Sequence, residues 1–483
     1  MRPIPTLENG ARFFWAAALI SLPVTSFRYF PFVGEETIVR PLSIFPLSSL
    51  LVVLSIQIIR RKIPWPQSGA LIPLAGLILI TAATSVFGVL LMPIEMRGQT
   101  ILGRELRAWL TLLIGLTFFI SSVLMNREEE DLRFTVRWLL AGLVLDLAWS
   151  GLQAVTFYTP FLPKETVTHW QLIFSTRELV RTNRISGLAY EPSWLAGQMT
   201  TVYLPWLFAS LITGVRVTRW RWFEPVLFIG AIDLILASYS RGGLIQALGA
   251  TFITFLIVGS GKLLSAWKWF TSGFINRIGV PARLGIILIS AAVLVGAVVY
   301  LSQKNYLSRL WNTDAESLVE FVIENSAGAR AAYNQGALAS YHANPWTGVG
   351  LGASGFNIYT NLPDWALTTV PEIARQLSPE SRLYPNPKNL YIRLLAETGL
   401  IGFMLFATYL FAILGDTLAA LLKKERIWQF LGTAGLFTWM ALLIYNLTQD
   451  SFATPNLWIN FGVLAGISGG VLHDAMSSRG RHV

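Results

Sequence analysis

The sequence predicts an all-α polytopic membrane protein, and three observations carry that prediction. The chain is 53% hydrophobic and only 13% charged, with a mean hydropathy of +0.54, whereas soluble domains carry about 25% charged residues. Apolar runs recur along its 483 residues, each near the roughly 20 residues that cross about 30 Å of hydrocarbon. Lysine and arginine gather in alternate short loops: Arg60-Arg61-Lys62, Arg216/Arg219/Arg221, Lys262/Lys268/Arg277/Arg283 and Lys423-Lys424-Arg426. Short loops rich in these residues stay cytoplasmic. The formal net charge of +10 is therefore a topology signal, and no nucleic-acid partner is expected.

Hydropathy puts spans near 10–27, 41–59, 69–92, 107–125, 136–158, 192–213, 223–239, 241–259, 283–302, 388–415, 428–446 and 454–472. These twelve spans leave both termini in the cytoplasm together with every basic short loop. Residues 1–302 hold spans one to nine, with an outer amphipathic segment near 160–190. Residues 303–387 form a long outer loop of about 85 residues, enough for a small helical lobe. Residues 388–483 hold spans ten to twelve. The N-terminus lacks a small-residue cleavage site after its first apolar run and reads as an uncleaved span.

The absence of cysteine excludes disulfides, thiolate nucleophiles and cysteine metal sites. His169, His342, His473 and His482 stand in no HExxH-type spacing, so neither a metal nor another cofactor is expected. The first half, to Tyr158, reads as scaffold, and its charge run 126–133 reads as a solvated face. Glu35-Glu36 is an acidic pair in the first outer loop without other ligand-type neighbours. Asp146 and Asp233 are ionisable residues inside spans, which calls for a partner or a function. A buried pair of Asp233 with Arg241 is one such account.

The polar segment after Tyr158 carries Arg181 and Arg184 and then Tyr190-Glu191-Pro192-Ser193 at the entry to span six. Proline suits a first helical turn, and a carboxylate is favoured beside a helix N-terminus. Glu191 is thus either a capping group or a carboxylate offered at the membrane surface. Ser240-Arg241-Gly242-Gly243 makes a tight outer turn between spans seven and eight. There Arg241 either snorkels to headgroups or meets an anion. In the long loop, Arg330 falls in the first turn of a helix starting near Ala327-Gly328-Ala329. A cation is disfavoured at that end, so an anionic ligand or a carboxylate such as Glu324 is called for. Gly348, Gly350, Gly352 and Gly355 fit neither nucleotide-loop spacing and read as turn-forming glycines.

The order of these features resembles the superfamily of O-antigen ligases and O-antigen polymerases of bacterial surface polysaccharide assembly. The motifs that carry it are Ser240-Arg241-Gly242, Gly328-Ala329-Arg330, Pro345-Trp346-Thr347-Gly348-Val349-Gly350, and Asn389-Leu390-Tyr391 followed by residues 394–402, LLAETGLIG. Glu191-Pro192-Ser193 resembles a motif of the polymerase-type members. The resemblance implies metal-independent, inverting glycosyl transfer at the periplasmic face of the bacterial inner membrane. The donor would be an oligosaccharide on a polyprenyl pyrophosphate. It makes Arg241, Arg330, Glu191 and Lys388 the catalytic candidates, and Arg181, Arg184, Asn389 and Tyr391 the substrate-binding ones. Arginine forks suit pyrophosphate because they bind bidentately and stay charged.

Lys388 stands where ligases carry a histidine, which, with Glu191-Pro192-Ser193, favours a polymerase of repeat units. The acceptor's base would be Glu191 or Lys388. A ligase transferring finished glycan to lipid A-core or another acceptor is the alternative within the family. A metal-dependent transferase built on Glu35-Glu36 is another enzyme reading. A lipid-linked oligosaccharide flippase is the alternative of another class, but the internal repeats expected of transporters are not evident. The lipid bilayer, the lipid-linked oligosaccharide and a chain-length regulator are the candidate partners.

Overall fold

The computed structural model of the protein describes residues 5–30, 38–91, 95–96, 98–179, 183–275, 279–302, 315, 317–324, 327–378, 381 and 384–479. Every predicted span falls on a helix: Pro5–Ser21, Ile44–Ile59, Leu71–Leu91, Ile101–Met125, Glu129–Tyr158, Pro192–Thr213, Phe223–Ala237, Arg241–Val258, Val280–Ser302, Leu390–Leu421, Arg426–Tyr445 and Ile459–Arg479. Among the described residues, seven helices are long and apolar enough to cross a membrane. The chain is a mostly helical, multi-pass membrane protein.

Two segments differ from the sequence reading. The loop expected at 260–282 is helical over Ser260–Ile275, since no proline interrupts it and its first turn follows the preceding helix directly. The amphipathic helix expected near 160–190 is confined to Lys164–Phe174. Beyond it the chain turns inward, with Leu179, Ile185, Leu188 and Ala189 buried. The left-handed backbone at Asn183 and Gly187 prevents a continuous helix there.

The membrane core is one cluster with Trp15, Trp206, Trp458, Tyr203 and Tyr409 fully buried. Its central helix, Pro192–Thr213, loosens into a π turn at Met199–Tyr203. Asn460 Nδ2 donates to the Thr201 carbonyl (2.8 Å) and the Val202 carbonyl (3.2 Å), and Asn456 Nδ2 donates to Thr201 Oγ1 (2.8 Å). Asn460 thereby satisfies backbone carbonyls that a regular helix would pair internally, as a membrane interior demands.

The two ionisable span residues part company. Asp146 is fully buried, and its Oδ1 accepts the Leu188 N–H at 2.8 Å, tying the outer segment to span five. Asp233 faces outward, so the buried Asp233–Arg241 pair does not form.

The long loop folds into short helices: Leu318–Glu324, Gly328–Ala343, Ser354–Thr360, Trp365–Thr369 and Pro371–Gln376. They enclose a small core of Ala332, Tyr333, Ala337, Ile358, Val370 and Ile373, which extends to Ala396 on the helix Leu390–Leu421. The lobe is thus seated on a span. The seat is a break in that helix at Gly399 (φ 66°, ψ −170°). Val349 N–H donates to the Ala396 carbonyl and Gly350 N–H to the Glu397 carbonyl (both 3.0 Å), while Leu400 N–H donates to the Pro345 carbonyl (2.8 Å). Hydrogen bonds lost at the kink are replaced by the loop. The two glycine-bearing motifs, fifty residues apart, are therefore halves of one junction.

Candidate functional site

Glu191 occupies the N-cap position of the helix Pro192–Gln198, yet its carboxylate caps no backbone amide. One oxygen, Oε1, accepts the Ser193 hydroxyl, and the other, Oε2, lies 3.4 Å from Arg177 Nη1. The same arginine nitrogen donates to the Tyr190 carbonyl at 3.3 Å, and the guanidinium lies 4.8 Å above the Tyr190 ring. Both carboxylate oxygens are therefore engaged. Arg177 was not singled out from sequence; its signal was only that it is another arginine in the same outer segment.

Arg241 opens the helix Arg241–Val258, whose N-cap Ser240 accepts the Gly243 N–H through Oγ (3.2 Å). The turn is held from the neighbouring segment. Arg184 Nε donates to the Ser238 carbonyl (2.9 Å) and Nη2 to the Tyr239 carbonyl (3.4 Å), while Ile185 N–H donates to the Ala237 carbonyl (3.2 Å). Arg184 thus shapes the turn that presents Arg241. Arg181 lies outside the described residues, as does Glu35-Glu36. Close helix packing brings this turn to Glu191's helix: a Cβ on Gly243 would lie 2.4 Å from that of Ala196.

Arg330 sits in the first turn of the helix Gly328–Ala343, as the sequence predicted, and that helix has no side-chain cap. It is half-buried, and no ion pair among the described residues takes it up. One turn on, Tyr333 lies under the Lys388 ammonium, 5.7 Å from the ring centroid. Lys388 has a left-handed backbone, φ 53°, a conformation uncommon outside glycine and asparagine. Its N–H donates to Asp450 Oδ2 (3.2 Å), and its Nζ lies 3.3 Å from Glu372 Oε1.

Asn389 and Tyr391 belong to the framework rather than to an open surface. Asn389 is the N-cap of Leu390–Leu421: its Oδ1 accepts the N–H groups of Tyr391 (3.0 Å) and Ile392 (3.2 Å). Tyr391 donates its hydroxyl to the Leu443 carbonyl at 3.1 Å, pinning two spans together. Tyr445 links the two sides of the site. It lies in the field of both Glu191 and Asp450, and its ring would be 2.5 Å from a Cβ on Gly197.

Beneath Lys388 runs a buried charged network. Arg393 Nε donates to Glu397 Oε2 (2.9 Å) and Nη1 to the Asp450 carbonyl (2.7 Å); the Ser354 hydroxyl donates to Glu397 Oε1 (2.7 Å). Asp450 therefore grips Lys388 through its carboxylate and Arg393 through its backbone. Glu372, Arg393 and Asp450 were not foreseen, because each acts through a contact distant in sequence.

These links place Glu191, Arg241, Arg330 and Lys388 at one end of the helical bundle. Three cationic residues there can receive a polyanion, Arg330 among them entering no ion pair with the described residues, and carboxylates stand nearby. A family model described as O-antigen ligase matches residues 225–407, a stretch that includes Arg241, Arg330 and Lys388 but not Glu191. No curated protein matches the chain.

Proposed function

We propose that the protein transfers glycan from a polyprenyl-pyrophosphate-linked oligosaccharide to an acceptor hydroxyl at the periplasmic face of the bacterial inner membrane. This reading is supported by Lys388 lying over Tyr333, on the helix of Arg330, and by Arg241, Arg330 and Lys388 all falling within the stretch similar to O-antigen ligases. A pyrophosphate is already a good leaving group, so the demand on the site is positive charge where the departing oxygens collect. Arg241 and Arg330 supply it as forks. Arg184 holds the turn that presents Arg241, and Asn389 and Tyr391 fix the start of the helix that follows Lys388. Such an arrangement needs no metal, and chelation of divalent ions should leave the rate unchanged.

Polymerisation of repeat units is the favoured form of the reaction, on Lys388 and on Glu191-Pro192-Ser193. A second form, prompted by the description of the matching family model, is ligation of finished glycan to lipid A-core or another acceptor. Purified protein given synthetic lipid-linked repeats separates them. A ladder of products without any added acceptor is expected. Product that requires a distinct acceptor would replace the polymerase reading with the ligase one.

A further inference from the structure

Glu372 lies in the helix Pro371–Gln376 of the loop lobe, and Lys388 lies at the entry to the helix Leu390–Leu421. Their meeting is held from both sides. Tyr333 donates its hydroxyl to Gln376 Oε1 (2.8 Å), and Gln376 Nε2 donates to Glu372 Oε1 (2.8 Å). Lys388 Nζ reaches the same oxygen at 3.3 Å. Both donors thus share Oε1, and among the described residues Oε2 accepts no hydrogen bond. The carboxylate is oriented yet keeps one oxygen open, and at 40% exposure it is accessible.

Lys388 is presented by an unfavourable backbone conformation, φ 53°, fixed by Asp450. Glycine or asparagine would meet that backbone requirement more easily, so the lysine side chain has a separate reason to be there. A half-exposed ion pair is a weak one, because exposed pairs contribute little to stability. Glu191, another carboxylate at this end, has both oxygens engaged by Ser193 and Arg177. Arg330 stands one turn from Tyr333 on the same helix, which brings the anion-binding side close to this pair.

We infer that Glu372 is the group that accepts the acceptor hydroxyl's proton, with Lys388 and Gln376 orienting it; this assignment rests on the glycosyl-transfer reading above. The acceptor oxygen forms a bond to the donor's anomeric carbon. The bond from that carbon to the pyrophosphate oxygen breaks, and its electron pair leaves on the pyrophosphate. The hydroxyl proton passes to Glu372 Oε2 and from there to water. Lys388 holds the carboxylate and takes no part in the proton transfer.

The test is steady-state transfer by the full-length protein in detergent, with synthetic lipid-linked repeats. Glu372→Gln preserves shape and can keep the contacts to Lys388 and Gln376, so a purely structural role predicts near-normal turnover. Loss of general-base assistance typically costs about 100-fold or more. A kcat reduced about tenfold or more with donor KM unchanged supports the assignment. A smaller loss, or one that appears as a raised donor KM, overturns it. Should Glu372→Gln not fold, Glu372→Ala with added formate replaces it: restored transfer supports the assignment, and no restoration overturns it. A wild-type protein that makes no product sinks the glycosyl-transfer reading itself. A wild type that works, is silenced by Arg330→Ala and tolerates Glu372→Gln sinks this assignment alone.

Discussion

Gly350 donates its N–H to the carbonyl of Glu397 at 3.0 Å, joining the turn of the outer loop to the break in a membrane-spanning helix. On either side of that bond the backbones are nearly in contact. A Cβ on Gly399 would lie 2.2 Å from the Trp346 carbonyl oxygen, and one on Gly348 would lie 2.4 Å from the Glu397 carbonyl carbon. The lobe that carries Arg330 and Glu372 is therefore registered on the span that carries Lys388 by contacts only glycine allows.

Gly399→Ala should unseat this junction. It adds a methyl group where backbone lies and forces alanine into a left-handed conformation, φ 66°. The expected cost is about 2 kcal/mol or more from the strain alone. Thermal unfolding in detergent measures it. An unchanged midpoint would contradict the role given to the junction.

The buried Arg393–Glu397 pair supports the same seat. Removing one partner strands a charge, so Glu397→Ala should destabilise by about 3–5 kcal/mol, whereas replacing both by apolar residues of similar size should cost less. A double-mutant cycle read by thermal unfolding checks this. Additive losses would contradict it.

Arg330→Ala and Arg241→Ala should each reduce transfer by about 100-fold or more, and Arg330→Ala should do so with unfolding nearly unchanged, since its work is done on the ligand. The lysine variants should retain more than the alanine variants yet fall short of wild type, because a point charge lacks the fork. Arg184→Ala should show the opposite balance. It removes two hydrogen bonds that shape the Ser238–Arg241 turn, so stability falls along with activity. Parallel assays of rate and melting separate the two classes.

Lys388→Asn should dissociate stability from function. Asparagine tolerates the left-handed backbone, so relief of strain offsets the lost ion pair to within about 1 kcal/mol. Transfer should nonetheless fall at least tenfold. Retained activity would remove Lys388 from the site.

The helices were legible in the sequence because a span must be apolar over a fixed length, and Arg330 was legible because a cation in a first helical turn is conspicuous. Pro192 marked a helix start for a similarly local reason. What the sequence withheld depends on contacts between distant residues. The glycines of 348–352 read as turns, but nothing local tied them to Gly399. Asn389 and Tyr391 read as substrate-binding residues, and nothing local revealed that Asn389 Oδ1 caps its helix or that the Tyr391 hydroxyl reaches the Leu443 carbonyl. Lys388 read as a chemical substitution, while its strained backbone and its partner Glu372 emerged only from the fold. Spacing allowed Asp233 to reach Arg241, yet helix rotation turned it outward.

The most direct test of the central claim follows release of polyprenyl pyrophosphate from a synthetic lipid-linked repeat alongside elongated glycan. The wild-type protein is expected to yield both in equal amounts, and Arg330→Ala neither. Elongated glycan formed at the normal rate by Arg330→Ala would contradict the account.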